Sequence, residues 1–422
     1  MRRIDRLIAA AGAANLADGM ASVAWLWAGS LMTRDALWLG VLAVALRLPW
    51  FLAALPAGVI VDRTDRRRLI ALADCLRAGA HAAVAAGMLL ALPLPRPAAS
   101  GVSLPWAFAV LTVGAFAIGV AEVLRDNAAQ SYLPLLVGRE GLERANGRLW
   151  AVELLSNGMI GPALGAWLIA LALWAPFAAN AVVLLAAAGL ILSIRPDPPA
   201  NRPQPSGPRR HMLHEIAEGW RFLMAQPLLR HLAVTTGFWN LCYQAVAVAL
   251  VLHVQENMGL GARSFGLILA AGSAGGILGS LAGPALARHL GPGRTAQWML
   301  AASAAFFLSL PFLPGPVPLA AALVLFMASG MIWNVVSVSY RQRLIPAHMM
   351  GRVNSLYRLL AWGMMPVGAI LSGLAVRLAE TTVDRGVALT APFWMAGAIA
   401  TALTIWAWGR LGRGFTAARA AE

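Results

Sequence analysis

Two ionisable residues lie deep inside apolar segments of the chain, where a charge is costly and usually serves a function. Asp18 lies about ten residues into the first apolar segment, or roughly 15 Å along a helix, and Arg47 reaches a similar depth from the other end of the second. A carboxyl group at that depth could take up and release a proton, because burial favours its neutral form while a nearby Arg47 favours its charged form. The alternatives are a fixed structural ion pair between Asp18 and Arg47, and exposure of these groups to a water-filled cavity.

A second set of charges lies near the ends of the fourth and fifth apolar segments. Glu122 is followed closely by Arg125, and Glu153 lies about one and a half turns into the next segment. Glu122, Arg125 and Asp126, together with Glu153, could form a cytoplasmic gate or a proton exit, or they could be interfacial charges that reach water. Asp74 and Arg77 are three residues apart on one helix face, which indicates a local pair.

No spacing in the chain indicates an enzyme, a metal site or a cofactor. We find no phosphate-binding loop, zinc-ligand spacing or nucleophile arrangement. The stretch Gly272-Ser-Ala-Gly-Gly276 lies inside an apolar segment, where it is typical of helix packing. Cys75 and Cys242 lie in separate apolar segments and predict no disulfide framework.

The elements that carry these residues are predicted to be membrane-spanning helices. Of the 422 residues, 59% are hydrophobic and only 12% are charged, about half the charged fraction of soluble domains, and the mean hydropathy is +0.70. Apolar runs of about 20 residues are long enough to cross a bilayer as helices. The sequence therefore predicts an all-α polytopic membrane protein with about twelve spans, at 8–32, 36–61, 69–92, 105–124, 148–172, 174–194, 231–256, 264–287, 295–313, 317–340, 353–376 and 386–409.

The placement of positive charge predicts the orientation of these spans. All 33 basic residues are Arg, the net charge is +15, and most of the Arg lie in segments that would share one side of the membrane. The positive-inside rule assigns that side, with both termini, to the cytoplasm. Because the charge follows the topology, we expect no nucleic-acid partner. The first apolar run is interrupted by Asn15 and Asp18, so it is interpreted as an uncleaved helix rather than a signal peptide.

The stretch 195–230 is predicted to be a cytoplasmic linker between two six-helix halves, 1–194 and 231–422. Its first part is rich in Pro and charge, which is typical of flexible segments. From His211 to Arg230, apolar and charged residues alternate at near-helical spacing, and this pattern indicates an amphipathic helix lying on the inner leaflet. A regulatory or partner-binding arm is the alternative.

A basic loop after the second span reads Gly-Val-Ile-Val-Asp-Arg-Thr-Asp-Arg-Arg. It resembles the Gly-x-x-x-Asp-Arg-x-Gly-Arg-Arg loop between helices 2 and 3 of major facilitator superfamily transporters, and the matching residues are Gly58, Asp62, Arg63, Arg66 and Arg67. Asp65 stands where the family has Gly, and Asp tolerates a left-handed turn conformation better than most residues.

The fifth span contains a second pattern of the same family. The stretch that begins with Asn157 and Gly158 resembles the exporter motif Gly-x-x-x-Gly-Pro-x-x-Gly-Gly. Gly161, Pro162 and Gly165 match it, while Asn157 and Ala166 replace the outer glycines. Small residues permit close helix approach and Pro bends a helix, so plain helix packing is the alternative. The chain as a whole resembles the enterobactin-exporter-like and macrolide-efflux-like branch of the superfamily.

The resemblance implies a monomeric two-domain transporter that opens alternately to each side, with a substrate cavity lined by spans 1, 4, 7 and 10. The polar and aromatic residues of spans 1, 7 and 10 that could contact substrate, besides Asp18, are Asn15, Asn240, Tyr243, Gln244, Trp333, Asn334 and Ser337. For Trp333 and Tyr243, packing or exposure to lipid is the alternative. The resemblance also implies that Asp62 faces the N-terminus of span 11, near Arg352, when the transporter is open to the outside. The alternative is that Asp62 only neutralises neighbouring Arg residues.

Together these patterns favour a proton-coupled exporter of an amphipathic small molecule, such as a drug or a siderophore, in the inner membrane. Its expected partners are the lipid bilayer, the small-molecule substrate and protons. Two alternatives remain: a lipid or lysophospholipid flippase of the same fold, and a membrane sensor or scaffold without transport. Asp18 distinguishes the last alternative, because a scaffold has no need of a protonatable carboxylate at the midplane.

Overall fold

The computed structural model describes residues 3–137, 142–195, 212–346 and 349–420, and no β-strand forms within these ranges. The first part of the chain forms α1 (Arg3–Ser30), α2 (Ala36–Leu52), α3 (Ala54–Arg63), α4 (Arg66–Leu90), α5 (Pro105–Val137), α6 (Leu142–Glu153), α7 (Gly161–Leu171) and α8 (Ala175–Leu192). The second part forms α9 (Met212–Ala225), α10 (Pro227–Leu252), α11 (Ala262–Leu290), α12 (Pro292–Ser309), α13 (Pro316–Leu344), α14 (Met350–Trp362), α15 (Met364–Ala379), α16 (Arg385–Ala388) and α17 (Ala391–Ala420). Two π-helices occupy Leu154–Ile160 and His253–Asn257.

Eleven helical stretches within the described ranges are long and apolar enough to cross a membrane. The predicted second span is instead divided into α2 and α3 at Ala53. Pro56 has no N–H for the carbonyl of Leu52, so the α-helical hydrogen bond is lost there, and Pro56 falls in the first turn of α3, where no such donor is needed. Since α2 and α3 together occupy the remaining predicted span, the expected all-α polytopic fold with about twelve spans is confirmed.

The chain divides into two compact units. Unit 1 comprises Met1–Asp197 and Leu250–Ser273, and unit 2 comprises Pro198–Ala249 and Ala274–Glu422. The division into halves 1–194 and 231–422 with a linker at 195–230 stays a prediction.

Small residues allow the helices at the centre of unit 1 to approach closely. In α1, Ala14 and Ala17 are buried against Ala78 of α4 and Leu184 of α8. α4 in turn packs along α5 and α8, and α1 packs against α7 and α8. Close approach of this kind favours van der Waals contact between helices in a bilayer, where the hydrophobic effect contributes little. Asp18 follows directly after this contact.

The amphipathic helix predicted within 195–230 is present as α9, and apolar residues of this helix pack against α14. In unit 2, Leu223 is fully buried in a cluster with Val353 and Leu356 of α14. Glu218 accepts a hydrogen bond from Arg352 at 2.9 Å. Apolar side chains of α9 therefore pack against α14, while the expected position of this helix on the inner leaflet stays a prediction.

Candidate functional site

A chain of ion pairs links three helices in the interior of unit 1. Arg77 of α4 is paired with Asp18 of α1, and its Nη1 lies 3.6 Å from Oδ1 of Asp74. Asp74 also accepts a hydrogen bond from Nε of Arg125 of α5 at 3.0 Å, and Arg125 pairs with Asp126 at 3.3 Å. The side chains of Arg77 and Asp74 have no exposed surface, and that of Asp18 is 21% exposed. Charges alternate along this chain, so each buried group has an opposite neighbour.

α4 presents its polar residues on one face. Asp74, Arg77 and His81 are three and four residues apart, the spacing that aligns side chains along a helix. His81 donates from Nδ1 to the carbonyl of Arg77 at 2.9 Å, a tautomer that leaves Nε2 as an acceptor. The rest of the buried surface of this helix is apolar or small, so the polar face is directed into the interior as a unit.

Arg77, rather than Arg47, is the ion-pair partner of Asp18. Arg47 is exposed and lies close enough to Glu122 for an electrostatic interaction. Glu122 in turn interacts with Asp18 and Arg77. The expected Asp18–Arg47 pair is therefore corrected by the structure, because α4 and not α2 presents its guanidinium to α1.

Glu153 joins the same electrostatic cluster from the end of α6. It interacts with Asp126, Asp18 and Arg125, and its side chain is exposed. The four residues proposed from the sequence for proton coupling thus lie around one group of charges. Arg77 also belongs to this group, although its spacing from Asp74 predicted only a local pair. The polar face that Arg77 shares with Asp74 and His81 in the middle of a span is the sequence pattern that indicates a larger role.

The exporter motif of the fifth span contacts α1 beside Asp18. Asn157 donates a hydrogen bond to the side-chain oxygen of Asn15 at 3.4 Å. A Cβ atom on Gly161 would lie 2.5 Å from Cα of Gly19, and one on Gly165 would lie 2.8 Å from Cα of Met20. These glycines therefore permit a backbone contact that no larger residue allows.

A π-helix lies directly before the glycines that contact α1. Leu154–Ile160 has the wide turn, and the N–H of Gly161 donates to the carbonyl of Ser156 where the helix returns to α geometry. Pro162 follows in the first turn of α7, where the lack of a backbone N–H costs no α-helical hydrogen bond. Gly158 faces Ser273, at a Cβ distance of 3.3 Å. Wide turns of this kind are frequent at functional sites.

The basic loop is held within unit 1 by its arginines. Arg67 donates to the carbonyls of Leu192 and Ile194 at the end of α8, at 2.9 and 2.8 Å. Arg66 donates to Ser131 at 3.1 Å. Asp65 caps α4 by accepting from the N–H of Arg68, with φ −67°, so the left-handed conformation that we expected at this position is not used.

The remaining residues of the loop motif, Gly58, Asp62 and Arg63, lie in α3. Arg63 ends α3 and is exposed. Gly58 and Asp62 belong to the same helix, but the surroundings of Gly58 and the Asp62 side chain lie outside the part of the chain that the structure describes. The proposed contact of Asp62 near Arg352 stays a prediction.

The cavity residues predicted on spans 7 and 10 lie in unit 2. Asn240 donates to the carbonyl of Ala361 at 2.9 Å, and Trp333 donates from Nε1 to Thr236 at 3.3 Å. The ring of Tyr243 is stacked 5.6 Å from that of Trp239. Gln244 and Ser337 are buried, and Asn334 is exposed.

The ionisable groups of unit 1 thus combine carboxyl and guanidinium groups within membrane-spanning helices, where such groups are costly and usually serve a function. No group of three or more His, Cys, Asp or Glu suited to a metal ion occurs among the described residues.

Comparison with known proteins places the chain among transporters. A family model, Major Facilitator Superfamily, matches residues 7–369. The multidrug efflux pump Tap of Mycolicibacterium fortuitum is 30% identical over 381 residues, which cover 87% of each chain. The enterobactin exporter EntS of Escherichia coli O1:K1 / APEC is 29% identical over 317 residues, 73% of this chain and 69% of EntS.

Solved structures share the fold at lower identity. The nucleoside transporter NupG has a TM-score of 0.72 and 13% identity, covering 97% of this chain and 99% of NupG. A bacterial homologue of the iron transporter ferroportin in its inward-facing state has a TM-score of 0.69 and 16% identity, covering 95% of this chain and 97% of the homologue. At these identities the likeness concerns the fold alone.

Proposed function

The chain belongs to the Major Facilitator Superfamily, and from this membership we propose that it exports an amphipathic small molecule across the inner membrane in exchange for protons. Tap and EntS, its relatives at about 30% identity, are a multidrug efflux pump and an enterobactin exporter. Their names support a drug-like or siderophore-like substrate. The protein is a multi-pass membrane transporter; we further propose a monomer with both termini in the cytoplasm.

The buried pair of Asp18 and Arg77 is the observation that carries this proposal. A charged Asp18 neutralises a guanidinium that has no exposed surface of its own. When Asp18 takes up a proton the pair is lost, and of its ion-pair partners within the described ranges Arg77 keeps only the carboxylate of Asp74, which it shares with Arg125. A buried cation with so little compensation is unfavourable. Proton uptake therefore changes the relative free energies of the conformations that expose or bury this pair, which is the requirement for coupling.

Glu122 and Glu153 extend the proton path in this proposal. Both interact electrostatically with Asp18, and Glu153 is exposed. Glu153 would exchange the proton with water and Glu122 would pass it toward Asp18. Arg47 interacts electrostatically with Glu122 and would favour release of its proton.

The substrate site is proposed to lie beside this proton site. Asn15 and Asn157 are hydrogen bonded to each other one turn from Asp18. A substrate that replaces this long hydrogen bond would therefore change the surroundings of Asp18. The remaining cavity residues of spans 7 and 10 are proposed to supply polar and aromatic contacts. Asp62, with Arg63, Arg66 and Arg67, is proposed to bias the conformational equilibrium.

Transport into inverted membrane vesicles tests the function. We expect vesicles energised by a pH gradient to accumulate ethidium, Hoechst 33342 or enterobactin, and a protonophore to abolish the accumulation. Asp18→Asn, which keeps the size of the side chain, should lose the dependence on the pH gradient, whereas the conservative Asp126→Asn at the end of the ion-pair chain should retain it.

Two outcomes would contradict the proposal. Normal gradient-driven accumulation by Asp18→Asn would show that another group carries the proton. Transfer of a fluorescent lysophospholipid between leaflets, with no accumulation of dye or siderophore, would favour the flippase.

A further inference from the structure

Asn180 is a buried residue of α8 whose side chain makes no hydrogen bond within the part of the chain that the structure describes. Its exposed fraction is 0%, and both the oxygen and the nitrogen of the amide are unpartnered. The other buried residues of this helix are apolar, so packing alone would favour an aliphatic side chain here. Because an unpaired buried amide destabilises a protein, its presence calls for a functional reason.

The neighbours of Asn180 along α8 fix the position of its side chain. The ring of Phe177, one turn earlier, lies 6.5 Å from that of His81 on α4. Leu184, one turn later, packs with Ala78 on the same helix. Phe177 and Leu184 also contact α1, through Trp25 and through Ala14 and Ala17. Residues three and four apart share a helix face, so Asn180 lies on the face of α8 that packs against α1 and α4, near Ala78 and His81.

Unpartnered polar atoms lie on α4 at the same level. Arg77 precedes Ala78 and uses one nitrogen for Asp18. Its Nε makes no hydrogen bond to the described residues, and its Nη1 has only the 3.6 Å ion-pair contact with Asp74. Nε2 of His81 is also unpartnered among them. One buried helix interface therefore contains spare donors on Arg77 and a spare acceptor on Asn180.

We propose that Asn180 is a positioning residue that accepts a hydrogen bond from Arg77 when Asp18 is protonated, directly or through one bridging water. This inference rests on the proposed role of Asp18 as the proton carrier. Proton uptake frees one side of the guanidinium, and the amide oxygen of Asn180 replaces the lost carboxylate. As a neutral acceptor it is weaker than a carboxylate, so Arg77 returns when Asp18 is charged again.

The charged and titratable groups that face Arg77 come from the helices around it. They are Asp18 on α1, Asp74 and His81 on α4, and Glu122 and Arg125 on α5. The sequence of α8 contains no charged residue. Asn180 can therefore stabilise the displaced guanidinium without adding a charge that would hold it permanently.

Infrared titration of the purified full-length protein in proteoliposomes tests the inference without a substrate. The protonated carboxyl band that disappears in Asp18→Asn reports the charge of Asp18. We expect Asn180→Leu to move the midpoint of this band to lower pH by about one to two units, the equivalent of one hydrogen bond to a charged group. Asn180→Asp should move it to higher pH, because a carboxylate there attracts Arg77 and repels a charged Asp18.

Leu184→Ala is the matched control on the same helix face, and we expect an unchanged midpoint. Opposite shifts from the two Asn180 variants support the inference, since misfolding cannot produce both. Equal midpoints in the wild type and Asn180→Leu, or an equal shift in Leu184→Ala, overturn it while leaving Asp18 as the carrier. The absence of any titrating Asp18 band in the wild type overturns the proton-carrier proposal and this inference together.

Discussion

Arg77 is the side chain on which the buried charges of unit 1 depend. It contacts both Asp18 and Asp74 and has no exposed surface. Without it, Asp74 would still have Arg125, but Asp18 would have no ion-pair partner among the described residues, in an interior where an uncompensated charge is strongly unfavourable. Both the stability of this interior and the charge of Asp18 are thus controlled by one guanidinium.

We expect Arg77→Gln to lower the free energy of unfolding by about 3–5 kcal/mol, because it leaves Asp18 without its ion-pair partner and Asp74 with Arg125 alone. Adding Asp18→Asn should recover part of this loss, since one unpaired group is removed. Thermal and denaturant unfolding of the purified variants provides the measurement. A double variant no more stable than Arg77→Gln would show that the two residues are not energetic partners.

Helix rise predicts the depth of Asp18, but the sequence does not predict its partner. Arg47 and Arg77 both lie in mid-span, and the choice between them depends on how α2 and α4 are rotated about their axes and which of them packs beside α1. Those quantities are set by tertiary packing. The face shared by Asp74, Arg77 and His81 is visible in the spacing, whereas its orientation is not.

The contact between α1 and the fifth span is made by backbone rather than by side chains. A Cβ atom on Gly161 would meet Cα of Gly19 and, at 2.7 Å, the carbonyl oxygen of Ser156. Backbone atoms cannot move aside as a flexible side chain can. The separation of these two helices is therefore fixed by the absence of one methyl group.

Gly161→Ala should lower the free energy of unfolding by about 1–3 kcal/mol or more, as overpacking does, and should separate α1 from α7. Gly189→Ala in α8 is the control, because nothing lies within 4 Å of its Cβ position; we expect no loss there and a gain of up to about 1 kcal/mol from helix propensity. Thermal stability measurements compare them. Equal effects of the two substitutions would contradict the close contact.

Helix α9 is held mainly by apolar contact with α14. Leu223 is fully buried, while the pair between Glu218 and Arg352 is partly exposed, at 35% and 29%. Leu223→Ala should cost about 2–5 kcal/mol and Glu218→Gln at most about 1 kcal/mol. Hydrogen exchange of α9 should therefore accelerate far more in Leu223→Ala, and a larger effect of Glu218→Gln would reverse this ranking.

Hydropathy predicts the membrane helices well and their irregularities poorly. Apolar length decides whether a segment can span, and this is read directly from the sequence. The break at Ala53 and the π-helix at Leu154–Ile160 depend on where a Pro lacks a donor and on how closely α1 approaches. The Pro residues are visible in advance, but the approach of another helix is not.

At the scale of the whole molecule, the distribution of Arg predicts which side of the membrane each connection occupies. The short connections assigned to the outside contain few Arg, and those assigned to the cytoplasm contain most of them. The fold shows the helices that these connections join, while sidedness requires a measurement in cells.

Cysteine labelling measures the sidedness. In a background of Cys75→Ser and Cys242→Ser, a membrane-impermeant maleimide should label Arg96→Cys in intact cells, because this exposed residue lies between α4 and α5. Arg419→Cys, near the C-terminus, should react only after permeabilisation. Labelling of Arg419→Cys in intact cells would place the C-terminus outside.

The wide turn at Leu154–Ile160 also determines where the chain can change in length. A π-turn accommodates more residues than an α-turn between the same two ends. One residue could therefore be deleted there with Gly165 still directed at Met20. The same deletion inside α7 would rotate every later residue by about 100°. Insertions and deletions are ordinarily confined to loops, but this span has one interior position at which its length is adjustable.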